Sequence, residues 1–223
     1  IGDDSLRQRP MARVVEPLRA LGADITTQSN GYPPIQIQPV EQLEGVNYVM
    51  PVASAQVKSA FLLAALCADG TSQIKEPEQT RDHTERMLTG FGHTISQQGD
   101  WLRVIGGKEL AGTKLVVPGD LSSAAFFIVG AAIATGSEII LRNVGVNPTR
   151  TGVIEILQQM GASIDCLNRK TVCGEPTADL MVRSTPLRGV GIGTHQVGRA
   201  IDEFPILSIA AACAHGKTTL HGA

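Results

Sequence analysis

The most constraining feature of this chain is a beat of glycine-closed helices. The segments Leu18-Arg-Ala-Leu-Gly-Ala-Asp-Ile25, Leu88-Thr-Gly-Phe-Gly-His-Thr-Ile95 and Leu157-Gln-Gln-Met-Gly-Ala-Ser-Ile164 place their glycines at 22, 92 and 161, about 70 residues apart. Each ends an amphipathic helix and starts a strand-like run. A second set, apolar on every side, ends at Gly70, Gly136 and Gly216, each followed by another strand-like run. A helix apolar all round is expected to be buried all round. The repeated unit is therefore an amphipathic helix, strands, an apolar helix and a further strand. Stacked, such units put helices inside and sheets outside: an α/β (α+β) chain of the inside-out α/β barrel type.

The pattern predicts helices near 10–21, 54–69, 80–91, 124–135, 152–160 and 203–215. Strands are expected near 23–27, 34–38, 46–50, 71–76, 93–97, 101–105, 113–117, 138–144 and 217–220, with two or three more after 161. Residues 1–9 read as a polar loop that brings Arg9 to Pro10 at a helix start.

Composition narrows the function classes. A net charge of -2 gives no general reason to expect nucleic acid or a membrane surface as partner. The longest apolar run, near Ala124–Ala134, is too short to span a bilayer. Cys67, Cys166, Cys173 and Cys213 show no C-x-x-C spacing, and Cys67 and Cys213 lie in apolar helical runs where a thiol acts as a small hydrophobe. A reduced, cytoplasmic protein is expected. The five histidines do not cluster, so no metal is expected. The start at Ile1 and the stop at Ala223 suggest a fragment of something longer.

The polar residues that stand out are at helix entrances. Arg9, Arg81 and Arg150 precede amphipathic helices; Ser54 with Gln56, Ser122 with Ser123, and Asp202 with Glu203 precede apolar ones. The first N–H groups of a helix have no partner within it, and the dipole favours negative charge there. Ser54 and the Gln56 amide could thus hold a phosphate, although on this stretch alone an ordinary Ser cap is the commoner explanation of Ser54. Arg grips phosphate or carboxylate through paired N–H bonds. If the entrances face one cleft, it suits two anions. Gly189-Val-Gly-Ile-Gly193 lacks the second half of G-x-G-x-x-G and reads as a turn between strands. Asp82, His83 and Glu85 fit a helix first turn without invoking acid–base chemistry.

Six ordered blocks carry a resemblance: Gly2-Asp-Asp-Ser-Leu-Arg-Gln-Arg-Pro-Met, Ala53-Ser-Ala-Gln-Val-Lys-Ser-Ala, Thr80-Arg-Asp-His-Thr-Glu-Arg-Met, Val117-Pro-Gly-Asp-Leu-Ser-Ser-Ala-Ala-Phe-Phe, Gly145-Val-Asn-Pro-Thr-Arg-Thr-Gly and Ala200-Ile-Asp-Glu-Phe-Pro-Ile-Leu. Together they resemble the bacterial EPSP synthase (3-phosphoshikimate 1-carboxyvinyltransferase) family, in its subclass with Ser-Ala-Gln. The resemblance implies an internal fragment: 1–117 as the later part of one domain, 118–223 as the early part of the other, with a hinge near Pro118-Gly119. It implies transfer of the enolpyruvyl group of phosphoenolpyruvate to the 5-hydroxyl of shikimate 3-phosphate, without cofactor. It assigns Arg9 to phosphoenolpyruvate, Ser54, Ala55 (through its backbone) and Thr80 to shikimate 3-phosphate, Gln56 to both substrates, and Asp202 to the attacking hydroxyl as proton acceptor. The partners implied are these two small molecules, with no nucleic acid or membrane and a monomeric whole enzyme. Other ligand blocks of the family are absent, so this chain alone is expected to be inactive. The alternatives are the sister enzyme acting on UDP-N-acetylglucosamine, whose usual loop Cys is missing from Gly2–Gln8, and a non-catalytic ligand-binding or interaction module.

Overall fold

The structure is a computed structural model and describes residues 2–222. The chain divides into two compact units, up to Gly112 and from Thr113.

In the first unit, α1 (Asp4–Arg7), α2 (Ala12–Ala20), β1 (Asp24–Thr26), β2 (Gln36–Gln38), β3 (Leu43–Glu44) and β4 (Asn47–Val49) precede α3 (Ala55–Ala65). β5 (Ala68–Asp69), β6 (Thr71–Lys75), α4 (His83–Gly90), β7 (Ser96–Gln98) and β8 (Trp101–Ile105) follow. The largest sheet runs β4-β6-β8-β7, parallel only between β4 and β6. α3 supplies Val57, Phe61, Leu62 and Ala65 to a core completed by Leu21, Met50, Ile74, Leu88 and Val104. Phe61 stacks on Tyr48 with ring centroids 5.9 Å apart.

The second unit contains α5 (Leu121–Ile133), β9 (Glu138–Gly145), α6 (Gly152–Gln159), β10 (Ser163–Val172), β11 (Glu175–Arg183), β12 (Gly191–Ile192), α7 (Thr194–Ala200), a 3₁₀ turn (Ile201–Glu203), α8 (Phe204–Ala212) and β13 (Thr219–Leu220). β10, β11 and β9 form an antiparallel sheet, and β12 pairs parallel with β13. α5 gives Ala125, Ile128, Val129 and Ala132 to a core shared with Val153, Ile156 and Leu157 of α6, Leu180 and Val182 of β11, and Leu207 of α8.

The repeat seen in the sequence has a physical basis. Gly22, Gly92 and Gly161 sit at φ +95, +81 and +96°, where a side chain would be strained. Around each, the chain closes its helix with the same two bonds. The N–H groups of Gly22, Gly92 and Gly161 donate to Arg19, Thr89 and Gln158. Those of Ala23, His93 and Ala162 donate to Leu18, Leu88 and Leu157. This is the Schellman arrangement, which satisfies carbonyls left over at a helix end. A third bond recurs: Leu21, Phe91 and Met160 carbonyls accept from Glu44, Ala111 and Arg188, each followed by a glycine. Gly45 and Gly189 occupy that following position with no room for a side chain. A Cβ would lie 2.5 Å from the Thr71 oxygen or 2.4 Å from the Lys217 oxygen.

Several expectations are corrected. Residues 113–117 are exposed and without a ladder partner among the described residues, so their apolar end, Leu115–Val117, does not make a strand. The opening loop contains α1, and α2 begins at Ala12, leaving Arg9 and Pro10 outside it. Gly189–Gly193 is not a turn between strands: it leads through β12 directly into α7, a helix whose polar sequence masked it. Cys67 and Cys213 are exposed rather than core. The apolar helices are covered on one face only. Leu63 is 48% exposed, Phe126 59%, Phe127 64% and Ile209 51%, because each unit packs its layers against one side of these helices. The sheets are open, and no closed barrel forms among the described residues.

Candidate functional site

In the first unit the site residues gather at the start of α3. Ser54 is its N-cap: extended backbone turns the hydroxyl back to accept from Val57 N at 3.4 Å, while Oγ donates to Gln56 Oε1 at 3.2 Å. Ala55 opens the first turn with only a methyl group, and Gln56 is exposed. A helix start of this kind offers donors to an anion.

Four residues after Ser54 stands Lys58, whose backbone N–H donates to the Ser54 carbonyl. Its side chain is 1% exposed and its ammonium reaches Glu76 at 3.2 Å and Glu85 at 2.7 Å. Glu76 also accepts the Thr80 hydroxyl proton at 2.6 Å. Beside them the hydroxyls of Ser59 and Thr84 bond at 2.7 Å. Thr80 is thus tied to the α3 entrance through Glu76 and Lys58. Burying an ammonium requires such partners. The sequence reading passed over Lys58 and Glu76 and took Glu85 as a first-turn charge. A lone Lys in a helix with no other charged residue, one turn after the cap, was the available signal.

Arg9 lies between α1 and α2, exposed, with its N–H on the Leu6 carbonyl. A surface cavity of about 820 Å³ in the same unit is lined by residues including Arg7, Gln8, Tyr32 and Pro33, and by none of the predicted site residues.

Asp202 belongs to the second unit, exposed on the 3₁₀ turn 201–203. Its neighbour Glu203 is 2% exposed. Ser122 Oγ donates to Glu203 Oε1 at 2.5 Å and accepts from Arg150, whose guanidinium also reaches Glu203 at 3.4 Å and Asp120 at 3.7 Å. The N-cap of α5 is Asp120, not a serine: it accepts from Ser123 N and Oγ, both at 2.9 Å. Burial pushes the Asp120 carboxyl up, but the bonds from Ser123, the backbone bond from Ser122 and the Arg150 charge outweigh it and hold it below the usual value. Arg150 is therefore held by Ser122 and two carboxylates, buried Glu203 and exposed Asp120. Among the described residues no group of three His, Cys, Asp or Glu is placed to hold a metal.

The family model of EPSP synthase (3-phosphoshikimate 1-carboxyvinyltransferase) matches residues 1–223. Proteins named 3-phosphoshikimate 1-carboxyvinyltransferase from Methylococcus capsulatus and Alkalilimnicola ehrlichii are 56% and 55% identical over 222 residues. These alignments take in 100% of this chain but only 51% and 50% of the relatives, so the chain spans about half their length. The EPSP synthase of Acinetobacter baumannii superposes with a TM-score of 0.91 at 53% identity, covering all of this chain and 50% of that one. The enolpyruvyl transferase NikO of Streptomyces tendae, at 16% identity and TM-score 0.76 over 96% of this chain and 52% of its own, shares the fold. With the family model matched from end to end and relatives above half identity, the chain belongs to the EPSP synthase family.

Proposed function

We propose that this chain is part of an enzyme that transfers the enolpyruvyl group of phosphoenolpyruvate to the 5-hydroxyl of shikimate 3-phosphate, releasing phosphate. The carrying observation is the α3 entrance, where a capping Ser54, the methyl side chain of Ala55 and an exposed Gln56 surround the first-turn helix N–H groups. Those donors suit the phosphate of shikimate 3-phosphate. Thr80 adds a hydroxyl by exchanging its bond to Glu76 for one to the ligand. Arg9 serves phosphoenolpyruvate through paired N–H bonds, and Gln56 reaches both substrates. The exposed Asp202 carboxylate orients the 5-hydroxyl and takes its proton as the oxygen bonds to C2 of phosphoenolpyruvate and C3 gains a proton, giving the tetrahedral adduct, which loses a C3 proton and phosphate to re-form the double bond.

The Ser-Ala-Gln subclass follows from Ser54-Ala55-Gln56 on the same reading. So does the division at 117/118 into parts of two domains, supported by two compact units that separate a few residues earlier, at Gly112/Thr113. The whole enzyme is read as monomeric and cytoplasmic, with small-molecule ligands only; no described helix is long and apolar enough to cross a membrane. The chain by itself is read as inactive.

The test is a chimera in which this chain replaces the matching segment of the Methylococcus capsulatus relative. Phosphate release is expected with phosphoenolpyruvate plus shikimate 3-phosphate and not with phosphoenolpyruvate plus UDP-N-acetylglucosamine. Asp202→Asn should lower kcat at least a hundredfold with KM changed far less. A folded chimera that is silent with shikimate 3-phosphate sinks the substrate assignment, and near-normal turnover of the Asn variant removes Asp202 from the reaction.

A further inference from the structure

The deepest charge cluster of the second unit lies directly beside the residue assigned to proton transfer. Glu203 follows Asp202 in the chain, and its carboxylate is almost wholly buried. Three elements converge on it. Ser122 comes from the first turn of α5, Arg150 from the loop before α6, and Glu203 itself from the 3₁₀ turn. Ser122 donates to Glu203 Oε1 at 2.5 Å while accepting from Arg150, and Arg150 contacts Glu203 directly at 3.4 Å. The Arg150 side chain is 15% exposed, its Nε is buried without a hydrogen-bond partner, and its Nη2 makes all these contacts. With Nε buried and Nη2 held by two carboxylates and a hydroxyl, the guanidinium does not present its paired Nε and Nη2 donors to a ligand.

We infer that Arg150 and Ser122 are positioning residues: by clamping Glu203 they fix the 201–203 turn and hence the place of the Asp202 carboxylate. The physical reason lies in the backbone. A 3₁₀ turn of three residues has few bonds of its own, and side chains at successive positions diverge. Locking the buried one sets the φ/ψ angles that aim the exposed one. Displacing a reacting group by about 1 Å can cost on the order of a hundredfold in rate. The inference rests on the proposed role of Asp202.

The experiment is a double-mutant cycle in the chimera described above, reading kcat and both KM values for Arg150→Met, Ser122→Ala, Asp202→Asn and the two pairs. Arg150→Met should lower kcat by about tenfold or more with both KM values within about twofold, and Ser122→Ala should act in the same direction but less. In the Asp202→Asn background each should cost less than about twofold further, because the group they aim is already disabled. Costs that multiply fully with that of Asp202→Asn overturn the inference. So does a tenfold rise in either KM at unchanged kcat, which would make Arg150 a substrate ligand. If Arg150→Met does not fold, Ser122→Ala alone decides by the same criteria. Failure of the underlying reading looks different: Asp202→Asn would then retain turnover by itself.

Discussion

Replacing Lys58 by Met should destabilise the first unit far more than any surface lysine would. Met retains most of the aliphatic volume, so packing around the 1%-exposed side chain is little changed. What disappears is the ammonium held by Glu76 at 3.2 Å and Glu85 at 2.7 Å. Those carboxylates, 14% and 13% exposed, are then left without their countercharge. Removing one partner of a buried ion pair costs about 3–5 kcal/mol, and the residual exposure here points to about 3 kcal/mol. With a urea slope of about 2 kcal/mol per molar, the unfolding midpoint should fall by about 1.5 M. Trp101, the single tryptophan of the chain, lies on β8 of the same unit and reports its unfolding without interference from the other. Adding Glu76→Gln and Glu85→Leu to Lys58→Met should restore most of the loss, since Gln keeps an oxygen for Thr80 and no buried charge remains. A midpoint shift below about 0.3 M for the single variant, or a triple variant no more stable than the single, would refute the electrostatic account.

Two other outcomes follow from particular side chains. His93 is 2% exposed with neither ring nitrogen hydrogen-bonded, and burial followed by the Lys108 charge holds its pKa below the ordinary 6.5. The folded state thus binds fewer protons than the unfolded one, so this contribution is whole above about pH 6.5 and is lost as pH falls below it. The Trp101-reported midpoint should drop between about pH 7 and 5.5 in the parent, and less in His93→Leu. Gly189→Ala should cost about 1–3 kcal/mol, because its Cβ would stand 2.4 Å from a backbone oxygen. Gly112→Ala meets nothing within 4 Å and serves as the control; equal melting temperatures for the two would contradict the close-approach argument.

The periodic part of the fold was legible because its cause is local. Gly22, Gly92 and Gly161 must take positive φ, and each closes its helix through bonds spanning six residues or fewer, so the sequence carries the whole instruction. Trp101–Ile105 could be read to the residue for a related reason: its aromatic and β-branched residues, Trp101, Val104 and Ile105, favour a strand, and it finds partners on both sides. Thr113–Val117 is similarly rich in β-branched residues, yet pairing is not a local property, and it finds no ladder partner among the described residues. α7 was hidden by the reverse effect. Thr194-His-Gln-Val-Gly-Arg-Ala200 has weak propensity and three polar residues at its start, but Gln196, Val197 and Ala200 are buried, and packing on α6 supplies what propensity does not.

The site divides along the same line. Ser54 could be read as a cap because capping is a contact over three residues. The fate of Arg150 could not, since its partners lie 28 and 53 residues away. Spacing alone placed Arg9, Arg81 and Arg150 as equals at three helix entrances. Arg150 is instead spent on Glu203 and Ser122, whereas Arg9 makes its backbone bond and leaves its side chain exposed. Equivalent positions in a repeated unit therefore do not carry equivalent chemistry. A repeat fixes where a side chain starts, and the charges it meets across the unit decide whether it braces the protein or faces a ligand.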